Sequence, residues 1–511
     1  MATEAPSPTT QDGEYSPAIR WIILAALMLG TVMEVLDISI VNVAVPEMMG
    51  NLGATLDQIS WVATGYIVAN VIILPLTGFL SLYFGRRNYL GFSIVMFTCA
   101  SIFCGLSRSL NELVIFRIMQ GMGGAALLST AQATLFEIFP RRQLGMIQAI
   151  FGIGVMVGPT VGPTLGGWIT DNYSWPWVFF INVPLGALAA TLVFTFMKDS
   201  KYSHNRNAHV DGIGILLLAI GIGALQTLLE KGNREDWFQS NLICWLAFFA
   251  IAGLTAFVMW ELRNPNPAVQ LHILKHRDFT AGTLYGMILG FGLFGGVFIL
   301  PVYLQELRHY TANQTGWILF PGGMATAFTL PFTGRLVSKV SPRIMVVIGS
   351  LGFVASCWIL HHLTMDTGAA EMFWPLALRG AAMGFLFMPL TLVALGSLKG
   401  RDIGAGTGLF NLARQLGGSA GIAFLSTFID HRATVHRTSL VENISVYNPL
   451  ALERLQTIQH GLMAKGYAAS VAKQQALSIV DRTVSAQARV MSFEDAFLVI
   501  GVAFICAMPL I

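Results

Sequence analysis

Glu34 and Asp37 stand three residues apart in GTVMEVLDISIVNVAVP (residues 30–46), inside an apolar run that begins at Trp21. On a helix that spacing puts both carboxylates on one face. If the run crosses a bilayer, the charges are costly there and mark a functional site. Low dielectric and a neighbouring like charge favour the protonated acid, whereas a nearby cation favours the carboxylate. A group held between these influences can bind a proton in one conformation and lose it in another. The candidate cation is Arg117, which does not deprotonate in proteins, with Gln120 on its helix face. Three readings of the acids stand. The two titrate together as one proton-coupling site. Alternatively, Asp37 carries a structural or proton role and Glu34 faces a cavity that attracts cations. In the third, Asp37 only caps or bonds neighbours such as Asn42. Arg117 has its own alternative, a purely structural tie between helices.

The elements that must hold these residues are membrane helices. Of 511 residues, 54% are hydrophobic and only 11% charged, against about 25% charged in soluble domains. Lipid must therefore replace water over much of the surface. The net charge of +3 gives no reason to invoke nucleic acid. The cysteines (Cys99, Cys104, Cys244, Cys357 and Cys506) all lie in apolar runs without a CxxC and read as small buried residues, not metal ligands. Runs of the roughly 20 apolar residues a span needs number about fourteen. They start at 20–44 and end at 491–511, and include 58–81, 145–169, 177–197, 315–337 and 404–428. The polar stretch 1–19 reads as a disordered cytoplasmic tail. Alternate loops carry Arg20, Arg86, Arg87, Arg141, Arg142, Lys198, Lys201, Arg206 and further basic residues to Arg401. The short opposite loops hold only Arg108, Lys231, Arg234 and Arg308. This asymmetry puts the amino terminus in the cytoplasm.

A weak internal repeat relates GFLSLYFGRRNYL (78–90) to GRLVSKVSPRIMV (334–346), aligning Gly78 with Gly334 and Arg87 with Arg343. Each half then carries an arginine among glycines, Arg117 and Arg379. Parallel repeats of six-helix halves with a site between them are a transporter architecture. The expected division is a first half over 20–197, two inserted helices with their linkers over 198–278, and a second half over 279–511.

On these landmarks the chain resembles the major facilitator superfamily. LVIFRIMQGMGGAA (113–126) is similar to that family's fourth-helix motif, and GIGVMVGPTVGPTLGG (152–167) to its fifth-helix antiporter motif. LDISIVNVAVP (36–46), WPWVFFINVPLG (175–186) and NLARQLGGSAG (411–421) resemble the fourteen-span drug:proton antiporter branch, the EmrB/QacA-like pumps. The resemblance implies an all-α integral membrane protein, with two six-helix halves plus two inserted central helices. It also implies a secondary transporter of the bacterial inner membrane, driven by the proton gradient without a cofactor. The cytoplasmic loop motif keeps Gly78, Gly85, Arg86 and Arg87 but has Leu82 where the family places an acid.

The bare stripe of Gly154, Gly158, Gly162, Gly166 and Gly167, with Pro159 and Pro163, suits close helix approach and bending. The resemblance makes it a pliable joint between the halves; plain packing is the alternative. In the second half the candidates are Arg379, Asn411 and Arg414, the last bonding a facing helix or countering Asp37 across the cavity. The cavity should be lined by apolar and aromatic residues, with Trp61, Tyr66, Gln120, Phe291, Phe294 and Phe387 as candidates. The expected cargo is hydrophobic or cationic drugs, or in the rival reading one metabolite, lipid or siderophore. Residues 429–490 form a large outer segment whose apolar spacing predicts two short amphipathic helices. By resemblance that segment docks a periplasmic adaptor leading to an outer-membrane channel. The final span stops at Ile511 with no cytoplasmic tail after it, which suggests truncation. No P-loop signature and no HExxH occurs, which argues against ATP drive and a zinc enzyme.

Overall fold

The computed structural model describes residues 15–199, 210–442, 444–445 and 447–511. The expected tail at 1–14 and the linker stretch with Lys201 and Arg206 lie outside the described residues. Every regular element among the described residues is helical. The first group comprises α1 (Pro17–Leu52), α2 (Leu56–Ile73), α3 (Thr77–Phe84), α4 (Arg86–Leu106), α5 (Leu110–Ile138), α6 (Leu144–Asn172), α7 (Trp177–Phe180) and α8 (Asn182–Phe196). Then come α9 (Gly212–Lys231) and α10 (Asn241–Glu261). The second group comprises α11 (Arg277–Val302), α12 (Ala312–Leu336), α13 (Pro342–Leu360), α14 (Ala369–Leu395), α15 (Asp402–Glu442), α16 (Pro449–Ala464) and α17 (Ala469–Ala507).

Among the described residues, twelve helical stretches are long and apolar enough to cross a membrane, with α2–α3 and α7–α8 each counting as one. The expected spans 315–337 and 404–428 fall on α12 and α15, which are long helices but not among the twelve. Glycines and threonines, and in α12 also prolines, lower their hydropathy where they meet other helices. In α12, Thr326 Oγ1 donates to the Gly380 carbonyl of α14 at 2.8 Å and Thr333 Oγ1 to that of Gly384 at 3.2 Å.

The outer segment differs from expectation. α15 runs on to Glu442 and α17 starts at Ala469, so only α16 is a separate short helix. Two long helices thus leave the bundle and carry α16 between them. Their periodicity continues from the spans, which is why the segment reads as amphipathic.

The two groups meet along two seams. α6 packs on α12, and α3 with the chain before it packs on α15. The repeat positions lie at these seams. A Cβ on Gly78 would come within 2.7 Å of the Ala405 backbone, and one on Gly334 within 3.0 Å of the Gly145 carbonyl. Each glycine is needed because the facing helix is at backbone distance.

Candidate functional site

α1 carries both acids into the bundle, and each is buried. The structure separates them. Asp37 is held on every side. Arg117 donates to its Oδ2 at 2.5 Å, and Gln120 Nε2 and Asn182 Nδ2 each donate to its Oδ1 at 2.8 Å. Arg117 also donates to Gln120 Oε1 at 2.7 Å and, through Nε, to the Val62 carbonyl at 3.0 Å. Its guanidinium lies 4.3 Å from the Tyr66 ring centre. Ser101 closes the cluster, receiving a hydrogen bond from Gln120 at 2.7 Å. A buried ion pair with its spare donors and acceptors satisfied is a rigid unit.

Glu34, one turn earlier, has a different setting. Oε1 accepts from Asn70 Nδ2 at 3.3 Å, while Oε2 is buried without a hydrogen-bond partner among the described residues. No cation forms an ion pair with it among the described residues.

These neighbours come together because α5 lies close against α2. A Cβ on Gly121 would fall on the Tyr66 carbonyl, so glycine there lets Arg117 reach under α2 to α1. The antiporter-motif helix α6 supports α1 from another side. Cβ atoms on Gly154 and Gly158 would come within 3.0 Å of Val32 and 2.7 Å of Val35, and Gly162 and Gly166 face Ser39 and Ile40. Ser39 Oγ donates to the Gly158 carbonyl at 3.2 Å. The stripe therefore packs within the first group, against the helix that bears the acids. The joint between groups uses other α6 positions, such as Gly145 against Gly334 and Val337, and Gly152 against Leu330. Gly167 meets little, with Val43 at 3.8 Å, and Pro159 and Pro163 lie within a continuous helix.

At the basic end, Gly85 takes φ +86°, a left-handed turn that lets α4 start at once. Arg86 pairs with Glu137. Arg87 donates through its backbone N–H to Asp199 Oδ1 at 3.0 Å, and through its side chain to the Phe194 carbonyl. Asp199 thus brings a carboxylate to a motif whose own acid position is Leu82.

In the second group, Arg379 donates to the Gly296 carbonyl at 3.2 Å. Asn411 joins α15 to α5, donating to Gln132 Oε1 at 3.1 Å and Ser129 Oγ at 3.4 Å. Arg414 stacks 5.1 Å from Phe387, and it does not counter Asp37, whose oxygens are taken by Arg117, Gln120 and Asn182. Gly417–Gly421 has the spacing of a GxSxG elbow. It lies within α15, however, where Ser419 receives a hydrogen bond from Gln226, not on the strand-to-helix turn that chemistry needs.

Of the proposed cavity residues, Tyr66, Gln120 and Phe387 belong to the central clusters. Phe294 packs on Gly418 and Phe291 meets Gly421 and Phe424, at the α11–α15 contact. Trp61 is 38% exposed and lies 4.3 Å from the Lys231 ammonium at the end of α9. Sequence reasoning did not single out Ser101, Asn182 and Asn70. Their signal was a lone polar residue in an apolar run, and for Asn182 its place in the 175–186 motif.

A model of the family described as Major Facilitator Superfamily matches residues 27–422. The chain is 34% identical over 503 residues to the fatty acid resistance protein FarB of Neisseria gonorrhoeae, covering 98% of this chain and 97% of that one. It is 35% identical over 494 residues to the multidrug export protein EmrB of Escherichia coli (strain K12), covering 96% and 94%. Among solved structures, that of the human organic anion transporter MFSD10 superposes with a TM-score of 0.60 at 13% identity, covering 96% of this chain and all of that one. The proton:xylose symporter XylE superposes with a TM-score of 0.57 at 15% identity, covering 82% and 91%.

Proposed function

The chain belongs to the major facilitator superfamily, and from that premise we propose that it exports hydrophobic and cationic drugs in exchange for protons, with Glu34 as the group that carries the proton. It is a multi-pass membrane protein and a multidrug efflux transporter of the EmrB-like kind, not an enzyme. The observation that carries the coupling assignment is the unequal setting of the two acids. Asp37 is locked to Arg117, Gln120 and Asn182. Glu34 keeps an unbonded oxygen in a buried site between α1, α2 and α5. Asp37 and Arg117 are then positioning residues that fix α1 against α5, and Glu34 alternates between acid and carboxylate. Proton entry down the membrane potential supplies about 2.3 kcal/mol per charge per 100 mV, and no cofactor is required.

The finer organisation belongs to the same proposal. α12 and α15 join the twelve apolar stretches as spans, making fourteen. The first group over 20–197 and the second over 279–511 rock about the two seams, with 198–278 inserted between them. The arginine-rich loops and the amino terminus face the cytoplasm of a bacterial inner membrane. Tyr447, just before α16, and Leu450, in its first turn, are 91% and 75% exposed. That apolar tip suits a periplasmic adaptor leading to an outer-membrane channel.

The test is ethidium efflux from proteoliposomes under an imposed proton gradient. The wild-type chain should extrude ethidium, a protonophore should stop it, and Glu34→Gln should extrude none above leak. Gradient-driven extrusion by Glu34→Gln at the wild-type rate would remove Glu34 from the proton path.

A further inference from the structure

We propose that the inserted α9–α10 pair travels with the second group of helices, and that Lys231 and Trp61 form the outer latch that is released whenever the outer side opens. The inference rests on the reading above that the two groups rock against each other during export.

α9 and α10 form one unit. A Cβ on Gly221 would come within 2.7 Å of the Leu254 backbone, and one on Gly253 within 2.9 Å of Gly221, so the two helices meet at backbone distance. Their connection is folded onto them, with the Trp237 ring 2.7 Å from where a Cβ on Gly232 would stand. Asp236 and Trp237 take φ +51° and +53°, a left-handed conformation that non-glycine residues keep only where their surroundings impose it. Here the turn aims the Trp237 indole at α15, where Nε1 donates to Thr427 Oγ1 at 2.8 Å.

The unit reaches both groups, but by unlike contacts. Towards α15, Gln226 Nε2 donates to Ser419 Oγ at 2.7 Å. Thr427 Oγ1 donates to Asn233 Oδ1 at 3.0 Å, and Asn233 Nδ2 to Asp430 Oδ2 at 3.4 Å. Among the described residues, every hydrogen bond from the α9–α10 unit to a helix of either group ends on α15. Towards α2 the contacts are apolar, with Ile72 and Val68 facing Gly223. At the outer end the Lys231 ammonium stands over the partly exposed Trp61 ring. Lipid is as apolar as the α2 face, so only close fit holds α9 there, whereas hydrogen bonds between helices resist displacement. A cation–π contact at an exposed ring is a weak link. The imbalance decides which side gives: α9 stays on α15 and parts from α2.

Position gives the latch its use. Near the basic end, α15 meets α3 and the chain before it directly, at Gly78 and Ala405 and at Leu74 and Gly408. Towards the other end α9 touches both α2 and α15. Opening there separates α2 from α9, and Lys231 with Trp61 lies at the mouth of that separation.

The experiment measures spin-label distances in the full chain in lipid nanodiscs, at acid and neutral pH, with and without tetraphenylphosphonium. Labels go on cysteines placed at the exposed Leu56 of α2, Leu242 of α10 and Val435 of α15. The exposed Cys99, Cys244 and Cys506 are replaced by alanine, and the buried Cys104 and Cys357 are left in place. The α2–α15 and α2–α10 distances should shift together between conditions, while the α10–α15 distance stays fixed. A shift in α10–α15, or a fixed α2–α10 distance beside a shifting α2–α15 one, overturns the proposal. A fixed α2–α15 distance would show that the groups do not rock, and would overturn the transport reading along with this inference. K231Q and W61L should each enlarge the long-distance population of the α2–α10 pair. K231R should keep the wild-type distribution, because it keeps a cation over the ring. An unchanged distribution in K231Q overturns the latch.

Discussion

Arg117 meets Asp37 at 2.5 Å with both side chains shut away from solvent. The pair spans α5 and α1 and sits among Gln120, Asn182 and Ser101, so neither charge has an exit. Removing one partner from such a pair leaves an uncompensated buried charge, at a cost of about 3–5 kcal/mol. Asp37→Ala should therefore lower the thermal unfolding midpoint strongly and abolish transport. Arg117→Lys should also lose activity, because one ammonium cannot reach Asp37, Gln120 and the Val62 carbonyl together. A wild-type midpoint for Asp37→Ala, followed by intrinsic fluorescence in detergent, would contradict this.

Glu34 should behave in the opposite way. Its hydrogen bond to Asn70 survives in Glu34→Gln, so the stability change is expected within about 1 kcal/mol. Gradient-driven export should nevertheless disappear. Comparing unfolding midpoint with ethidium efflux for the same preparation separates the two effects. A variant that unfolds early would place Glu34 with Asp37 as a structural acid.

The glycine stripe predicts a steric phenotype. Gly158→Val would drive a branched side chain into Val35 and the Leu36 backbone. Overpacking of this kind costs about 1–3 kcal/mol and would tilt α1, displacing the acids. Gly167→Ala should be silent, since a methyl there meets only Val43 at 3.8 Å. Expression level and efflux of the two variants check the contrast.

The seam contact can be wedged open. Gly78→Val would set a branched side chain against the Ala405 backbone, which a Cβ alone already approaches to 2.7 Å. Efflux and the thermal unfolding midpoint should both fall, whereas Gly404→Ala, whose methyl meets Gly78 at 3.6 Å, should leave both near wild type. Wild-type efflux by Gly78→Val would show that the cycle does not need this seam to close.

The protruding tip offers a separation of transport from assembly. Tyr447→Lys with Leu450→Lys leaves the bundle untouched, because both side chains are exposed. Efflux in proteoliposomes should equal wild type, while drug resistance conferred on intact double-membraned cells should fall. Undiminished resistance would remove the tip from adaptor docking.

Much of this protein was legible in its sequence. Apolar run length and the scarcity of charge determined a multi-span helical bundle, because a bilayer admits little else. The cost of burying charge singled out Glu34, Asp37, Arg117, Arg379 and Arg414, and the weak repeat identified Gly78 and Gly334 as equivalent positions. Sequence could not say which acid Arg117 would meet. A shared helix face leaves both within range, and the choice was made by Asn182, 145 residues away, and by Gln120. It could not say that the antiporter stripe lies on α1 instead of the opposite half, or that Asp199 stands beside the loop motif. Local spacing determines what a helix can present. Only the packed helices decide what it presents it to, because those partners come from distant parts of the chain and are chosen by close backbone approach.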